Sequence, residues 1–253
     1  YDLGTERWPE WLESVGMDRR LLPKVARAGA AIGGIGNAGR ALGLAENTRL
    51  HAGTTDGCAA FLATGAHQIG DAVTSLGSTL VVKIASDRPI SAPLFGIYSH
   101  RVGNLWLAGG ASNTGGAVIR SLFGDAQLDD LTRRIDASQP TGLDYYPLLR
   151  PGERFPINDP NHAPRLTPRP ADDVVFFQGV LEGIAAVEEL GYRQLAKLGA
   201  PQLRSVRTVG GGARNLPWRE IRQRKLGVPF LDSISEDAAA GVAVLLAEAV
   251  ELV

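Results

Sequence analysis

Thr54-Thr55-Asp56-Gly57 sets a carboxylate just ahead of a small apolar run, Ala59, Ala60, Phe61, Leu62 and Ala63. The run predicts a buried helix beginning just after Asp56, which places the carboxylate at a strand-to-helix junction facing a cleft. An aspartate held there can take the proton of an alcohol as a bond to phosphorus forms. Aspartate is also among the commonest helix N-caps, and the local sequence alone favours the cap reading. Three glycine turns each follow a candidate strand: Gly77-Ser78-Thr79, Gly109-Gly110-Ala111-Ser112 and Gly210-Gly211-Gly212-Ala213-Arg214-Asn215. Glycine lets a backbone approach an anion or a flat ring, and exposed N–H groups at such turns hold phosphate oxygens. Each one alone is equally an ordinary tight turn.

The elements that must position these residues follow from periodicity and turn chemistry. Residues 73–84 read as two strands about Gly77-Ser78-Thr79, and residues 97–108 as a second hairpin with Gly103-Asn104 at its turn. Gly115 and Gly116 lead into a helix near 117–123, and 127–135 is amphipathic. Residues 139–170, rich in Pro, Asn, Asp and Arg, predict a long irregular connection on the surface. Val175, Phe176, Val180, Ile184, Val187 and Leu190 recur at helical spacing and predict one long helix over 172–198, with a bend near Gly191. Val206, Thr208 and Val209 make a strand running into the triple glycine, after which Asn215 and Pro217 open a helix through Arg224. A strand at 228–231 and a final Ala-rich helix to Glu251, capped by Ser235, Glu236 and Asp237, complete the pattern.

Composition narrows the class. The chain has 253 residues, 44% of them hydrophobic, enough for a substantial core of one or two domains. A net charge of -1 leaves no basic excess for nucleic acid or an anionic membrane, so neither is expected as a partner. Cys58 is the single cysteine, which excludes an internal disulfide and points to a cytoplasmic setting. His51, His67, His100 and His162 lack metal-ligand spacing, so no metal site of the chain's own is expected. No apolar run reaches bilayer length. The sequence opens at Tyr1 without an initiator Met, and its start is expected to lie in mid-sequence.

Order and company raise the specificity of these motifs. Thr54-Thr55-Asp56, Ser75-Leu76-Gly77-Ser78-Thr79, Gly109 to Gly116, Gly210 to Asn215 with Trp218, and Glu236 to Ala243 together resemble the FGGY carbohydrate kinases over nearly the whole chain. The likeness is closest to the cyanobacterial and plant members described as ribulose or xylulose kinase-like. It implies an α/β fold: an actin-like, ribonuclease H-like ATPase lobe with a mixed sheet and flanking helices, plus a remnant of a first lobe. Residues 1–66 would be the end of the first, sugar-binding lobe and residues 67–253 the second, ATP-binding lobe. The implied activity is ATP-dependent phosphorylation of a sugar hydroxyl, with ATP and Mg2+ as cofactors and a ketopentose as acceptor.

By the same resemblance Asp56 is the catalytic base, and Thr55 and Asp56 meet the sugar. Gly77, Ser78 and Thr79 lie against the ATP phosphates, with Gly110, Ala111 and Ser112 near the same group. Gly211, Gly212, Asn215 and Trp218 form the adenine pocket, Asn215 hydrogen-bonding the purine and Trp218 walling it. Asp2-Leu3-Gly4-Thr5 spells the family's first-lobe Asp-x-Gly-Thr loop, but no strand flanks it on either side, so it is expected to be an unrelated turn. Much of the first lobe would then be missing, and the chain alone is expected to be inactive.

Two other readings stand beside this one. Gly34-Ile35-Gly36-Asn37-Ala38-Gly39 matches the GxGxxG of dinucleotide-binding oxidoreductases, although the residues before it are Ala- and Gly-rich rather than β-branched. A non-catalytic nucleotide-binding or assembly module would use the glycine turns only as turns, and an apolar face left by an absent lobe would favour self-association.

Overall fold

The computed structural model describes the backbone of residues 1–251 and the side chains through residue 247; the last two residues of the 67–253 span lie outside the described residues. Short elements occupy the first 55 positions: α1 (Trp11–Ser14), β1 (Ala31–Gly34), α2 (Asn37–Ala41) and β2 (Arg49–His51). β1 and β2 pair antiparallel in a two-stranded sheet of their own, which the Ala- and Gly-rich sequence did not reveal. The GxGxxG residues fall on exposed β1 and five-residue α2. A dinucleotide site needs a buried parallel strand feeding a full helix, so this motif is a loop and no more. Asp2 likewise caps its own turn, its Oδ1 accepting from Gly4 N at 2.7 Å and Thr5 N at 2.9 Å.

The main sheet grows from residues 71–112 and 205–231. β3 (Asp71–Leu76) and β4 (Leu80–Ser86) form the first predicted hairpin, and β5 (Tyr98–Val102) and β6 (Leu105–Ser112) the second. With β7 (Ser205–Val209) and β8 (Phe230–Leu231) they make a six-stranded sheet in the order β5-β6-β4-β3-β7-β8. Neighbours from β5 to β3 are antiparallel, whereas β7 and β8 run parallel to β3. The sheet is therefore mixed, and most of its strands are buried on both faces, as a layer covered by helices on each side requires.

One face carries α4 (Gly116–Leu122), α5 (Asp125–Arg134), α6 (Asp173–Lys197) and α7 (Leu216–Leu226). The stripe expected on α6 holds at Phe176, Val180, Ile184 and Val187, while Val175 and Leu190 turn outward. α6 runs unbroken through Gly191, where a Cβ would stand 2.8 Å from the Phe155 ring; the glycine makes room for an aromatic side chain. The other face carries α3 (Asp56–Ala63) and α8 (Ala238–Glu251), packed through Cys58, Phe61, Leu62 and Leu245. These two helices approach so closely that a Cβ on Gly241 would lie 1.8 Å from the Ala59 carbonyl oxygen.

Residues 139–170 are irregular, as expected, but they are not a surface connection. Tyr145, Tyr146, Leu148 and Phe155 are buried, and Glu153 is 2% exposed. The buried carboxylate accepts from Ser112 Oγ at 2.5 Å, Asn113 N at 2.8 Å and the Tyr146 hydroxyl at 3.0 Å. An apolar crossing without a repeat leaves no periodicity to read. Glu153→Gln keeps one acceptor oxygen and presents an amide to the hydroxyls, so a loss of about 2 kcal/mol in guanidinium unfolding is the expected outcome.

Candidate active site

Two of the three glycine turns converge on one cavity of about 570 Å3, within the usual range for a small-molecule site. Gly77, Ser78, Gly211, Gly212, Asn215 and Trp218 all line it. The turn after β3 exposes Ser78 and is stitched to the start of α4: Gly116 N donates to Gly77 O at 2.9 Å and Ala117 N to Ser78 O at 3.0 Å. Gly115, at φ +140°, lies where a Cβ would meet the Thr79 backbone at 2.7 Å, so the two segments touch main chain to main chain. Arg120 in α4 reaches back to donate to Ser78 Oγ at 3.1 Å, adding a guanidinium at the turn where a polyanion would lie. Sequence reading passed over Arg120, because an arginine in a surface helix carries no local signal of the turn it meets.

The triple glycine forms a 3-10 turn between β7 and α7. Gly210 takes φ +87° and donates its N–H to Glu236 Oε2 at 2.9 Å, just ahead of α8. A Cβ on Gly211 would meet nothing within 4 Å, leaving an open face at the cavity. A Cβ on Gly212 would stand 2.7 Å from Leu76 and 2.8 Å from the Trp218 ring, so only glycine lets the loop lie on the indole. Trp218 is 2% exposed, and its Nε1 donates to Leu181 O at 3.0 Å. Asn215 caps α7, with Oδ1 accepting from Trp218 N at 2.9 Å and Nδ2 donating to Thr132 Oγ1 at 3.1 Å. Its first task is thus to hold the pocket wall.

The third turn is placed differently. Gly109, Gly110, Ala111 and Ser112 belong to β6, and none of them lines the cavity. Gly110 is buried under the Phe155 ring, and Ser112 is spent on Glu153. Thr79 is not part of the lining either; its backbone supports Gly115. Both act on the cavity through the neighbouring chain, since Glu153 fixes residues 112–113 and these precede the segment stitched to Gly77 and Ser78.

Asp56 is exposed and occupies the first turn of α3, one residue inside the position of an N-cap. Thr55 fills the cap position without a side-chain bond, and Asp56 Oδ1 accepts from Gly57 N at 2.6 Å. The carboxylate is therefore open to solvent and is not consumed in ending the helix. Thr54 and Thr55 line a second cavity of about 430 Å3, bounded by Glu6, Arg27 and Arg101. Glu6 binds both arginines, at 2.6 Å to Arg27 and 2.7 Å to Arg101, tying the opening segment to β5.

A sequence model described as the FGGY family of carbohydrate kinases, C-terminal domain, matches residues 72–250. The chain belongs to the FGGY carbohydrate kinase family. Among curated FGGY relatives, an L-fuculokinase of Salmonella typhi is 27% identical over 257 residues, covering 93% of this chain and 50% of the relative. The L-fuculokinase of Escherichia coli K12 is 25% identical over 252 residues, with the same coverage. The chain thus spans about half the length of the curated relatives it matches. A solved structure described as a xyloylose kinase from Brucella ovis aligns with 99% of this chain and 54% of its own, at 23% identity and a TM-score of 0.86. A glycerol kinase of Plasmodium falciparum solved with ADP covers all of this chain and 53% of its own, at 16% identity and a TM-score of 0.78. The fold is accordingly the mixed-sheet, actin-like ATPase lobe of FGGY kinases, and the family acts as ATP-dependent sugar kinases. Among the described residues no helix is long and apolar enough to cross a membrane.

Proposed function

We propose that this chain is the nucleotide-binding half of an ATP-dependent kinase that phosphorylates a sugar hydroxyl. Of the span 1–66 expected to finish a first lobe, only the short elements ahead of α3 are assigned there, because α3 packs on the main sheet with α8 and is grouped with residues 67–253 in the second. The observation that carries this reading is the convergence of the β3–β4 turn, the triple glycine and Trp218 on one cavity. Its shape suits ATP. Gly211 and Gly212 offer a bare backbone to a flat ring beside the Trp218 indole, while Ser78, its neighbouring amides and Arg120 face the phosphates. Mg2+ would arrive with the triphosphate and neutralise its charge; no group of His, Cys, Asp and Glu among the described residues forms a metal cage.

Asp56 is the proposed general base. Its carboxylate takes the acceptor proton as the sugar oxygen bonds to the γ-phosphorus, and the bond from that phosphorus to the bridging oxygen breaks to release ADP. Thr55 lies beside it on the acceptor side, at the second cavity. Xylulose or ribulose is the proposed acceptor, supported by the resemblance and by the xylulose kinase from Lactobacillus acidophilus that shares the fold at a TM-score of 0.82. Trp11, Leu21, Leu42 and Leu50 are each exposed on the opening elements, apolar side chains that further chain of a first lobe would cover. The chain by itself then binds ATP with little or no turnover.

Calorimetry with ATP and Mg2+ tests the nucleotide assignment. Ser78→Asp sets a negative charge on an exposed turn, so ATP binding is expected to weaken about tenfold while adenosine binding stays unchanged. No ATP binding by the wild type, or equal losses for ATP and adenosine, would remove the turn from its role.

A further inference from the structure

Lys83 is the lysine that the fold draws inward, whereas Lys24, Lys197 and Lys225 stay exposed. It stands in β4, where alternation turns Val82 and Ile84 to the α6 side and Lys83 and Ala85 to the α3 side. Its neighbour across β6 is Gly109, which has no side chain to cover it, and across β3 it is Val73. The ammonium rests against the first turn of α3: a Cβ built on Gly57 would lie 2.8 Å from Lys83 Nζ. A side chain at 57 would push the end of Lys83, 26 positions later, away from this turn.

Two penalties fall on a cation in this place. Burial drives the Lys83 ammonium below the ordinary lysine range, and the amino end of α3 is the positive end of its dipole. The charges that push it back up are Cys58 and Asp56, both on α3. From β5, His100 faces the same side, its own titration held low first by burial and then by Lys83. Asp56 Oδ1 is anchored on Gly57 N, the very residue over which Nζ sits. A lysine drawn in against Gly57, the residue whose amide holds Asp56 Oδ1, fits a reaction centre better than a packing role, although it makes no direct ion pair with that carboxylate.

We infer that Lys83 is a positioning residue of the phosphoryl-transfer centre, its ammonium seated against Gly57 so that it acts on the Asp56 carboxylate through its charge and through the turn whose amide holds Oδ1. The inference rests on the kinase reading, which assigns Asp56 its role. Oxygen Oδ1 stays tied to the helix, and Oδ2 is left to meet the sugar.

Two measurements test it. Reductive methylation with 13C-formaldehyde gives each lysine an NMR signal, and an alkaline titration follows Lys83 in the chain itself. Lys83 is expected to titrate below the ordinary lysine range and lower still in Asp56→Asn, which removes a charge that raises it. A Lys83 titration unmoved by Asp56→Asn overturns the inference, and this arm needs no substitution at Lys83. In the polypeptide at its natural full length, Lys83→Met is expected to lower kcat about tenfold, equivalent to roughly 1.4 kcal/mol at the transition state, with the KM for ATP unchanged. Lys83→Arg should restore most of the rate, because it returns the charge. An active enzyme indifferent to Lys83→Met, or equally impaired by Met and Arg, overturns the inference alone. Wild-type protein that phosphorylates no sugar overturns the kinase reading and the inference with it.

Discussion

Arg222→Met is expected to lower the unfolding free energy by about 3–5 kcal/mol, the cost of leaving a buried carboxylate without its partner. Arg222 and Glu188 are each 1% exposed, paired through Arg222 Nε to Glu188 Oε2 at 2.6 Å and Nη2 to Oε1 at 2.8 Å. The pair sits in a wider net, with Thr74 Oγ1 donating to Glu188 at 2.5 Å, Tyr192 at 2.9 Å from Thr74, and Arg222 Nη1 donating to Thr208 at 2.9 Å. It clamps α7 to α6 and to β3 and β7 of the sheet. Thermal unfolding should show the loss as roughly 2–4 °C per kcal/mol. The double variant Arg222→Met with Glu188→Gln removes the stranded charge and keeps an acceptor for Thr74, so it should regain much of the stability. A single variant within 1 kcal/mol of wild type would mean that water already reaches the carboxylate.

Gly212→Val should weaken ATP binding by about tenfold to a hundredfold, the scale of the 1–3 kcal/mol typical of overpacking. A side chain there meets Leu76 at 2.7 Å and the Trp218 ring at 2.8 Å, so either the loop lifts from the indole or the indole tilts. Both movements change the cavity wall. Gly211→Ala serves as the control for folding, since its Cβ meets nothing within 4 Å and its melting temperature should match the wild type. Calorimetry in which Gly212→Val binds ATP as the wild type does would detach the triple glycine from the nucleotide.

Local rules carried the sequence reading a long way. The hairpins at 71–86 and 98–112, the helix at 173–197 and the strand, glycine turn and helix at 205–226 were all legible, because each is fixed by alternation, helical spacing or a turn residue within a short window. The same rules failed where burial depends on residues far apart. Glu153 looks like one more charge in a polar segment until the fold closes it over Ser112, 41 positions away, and Glu188 meets Arg222 across 34. The glycines of β6 read as a turn for a related reason, and they lie in a strand outside the cavity lining: the spacing that suits a phosphate turn also suits a strand pressed by Phe155. Lys83 gave no signal at all, since a lysine between two hydrophobic residues is the ordinary pattern of a half-exposed strand. At Asp56 the sequence left cap and base side by side; the structure puts Thr55 at the cap and Asp56 one position inside α3, which leaves the carboxylate unspent and the base role a proposal.

The seam between α3 and α8 bears on how the molecule would move. Ser235 N donates to Ala63 O at 3.0 Å and Ile234 N to Thr64 O at 3.2 Å, so the segment leading into α8 is latched to the far end of the helix that begins at Asp56. Two residues on from Ile234, Glu236 accepts from Gly210 N, one residue before the glycines that line the cavity of about 570 Å3. The helix that carries Asp56 and the triple glycine are therefore tied into one packed unit. In the proposed kinase, closure would then bring the acceptor toward this unit rather than flex the unit between Asp56 and the triple glycine.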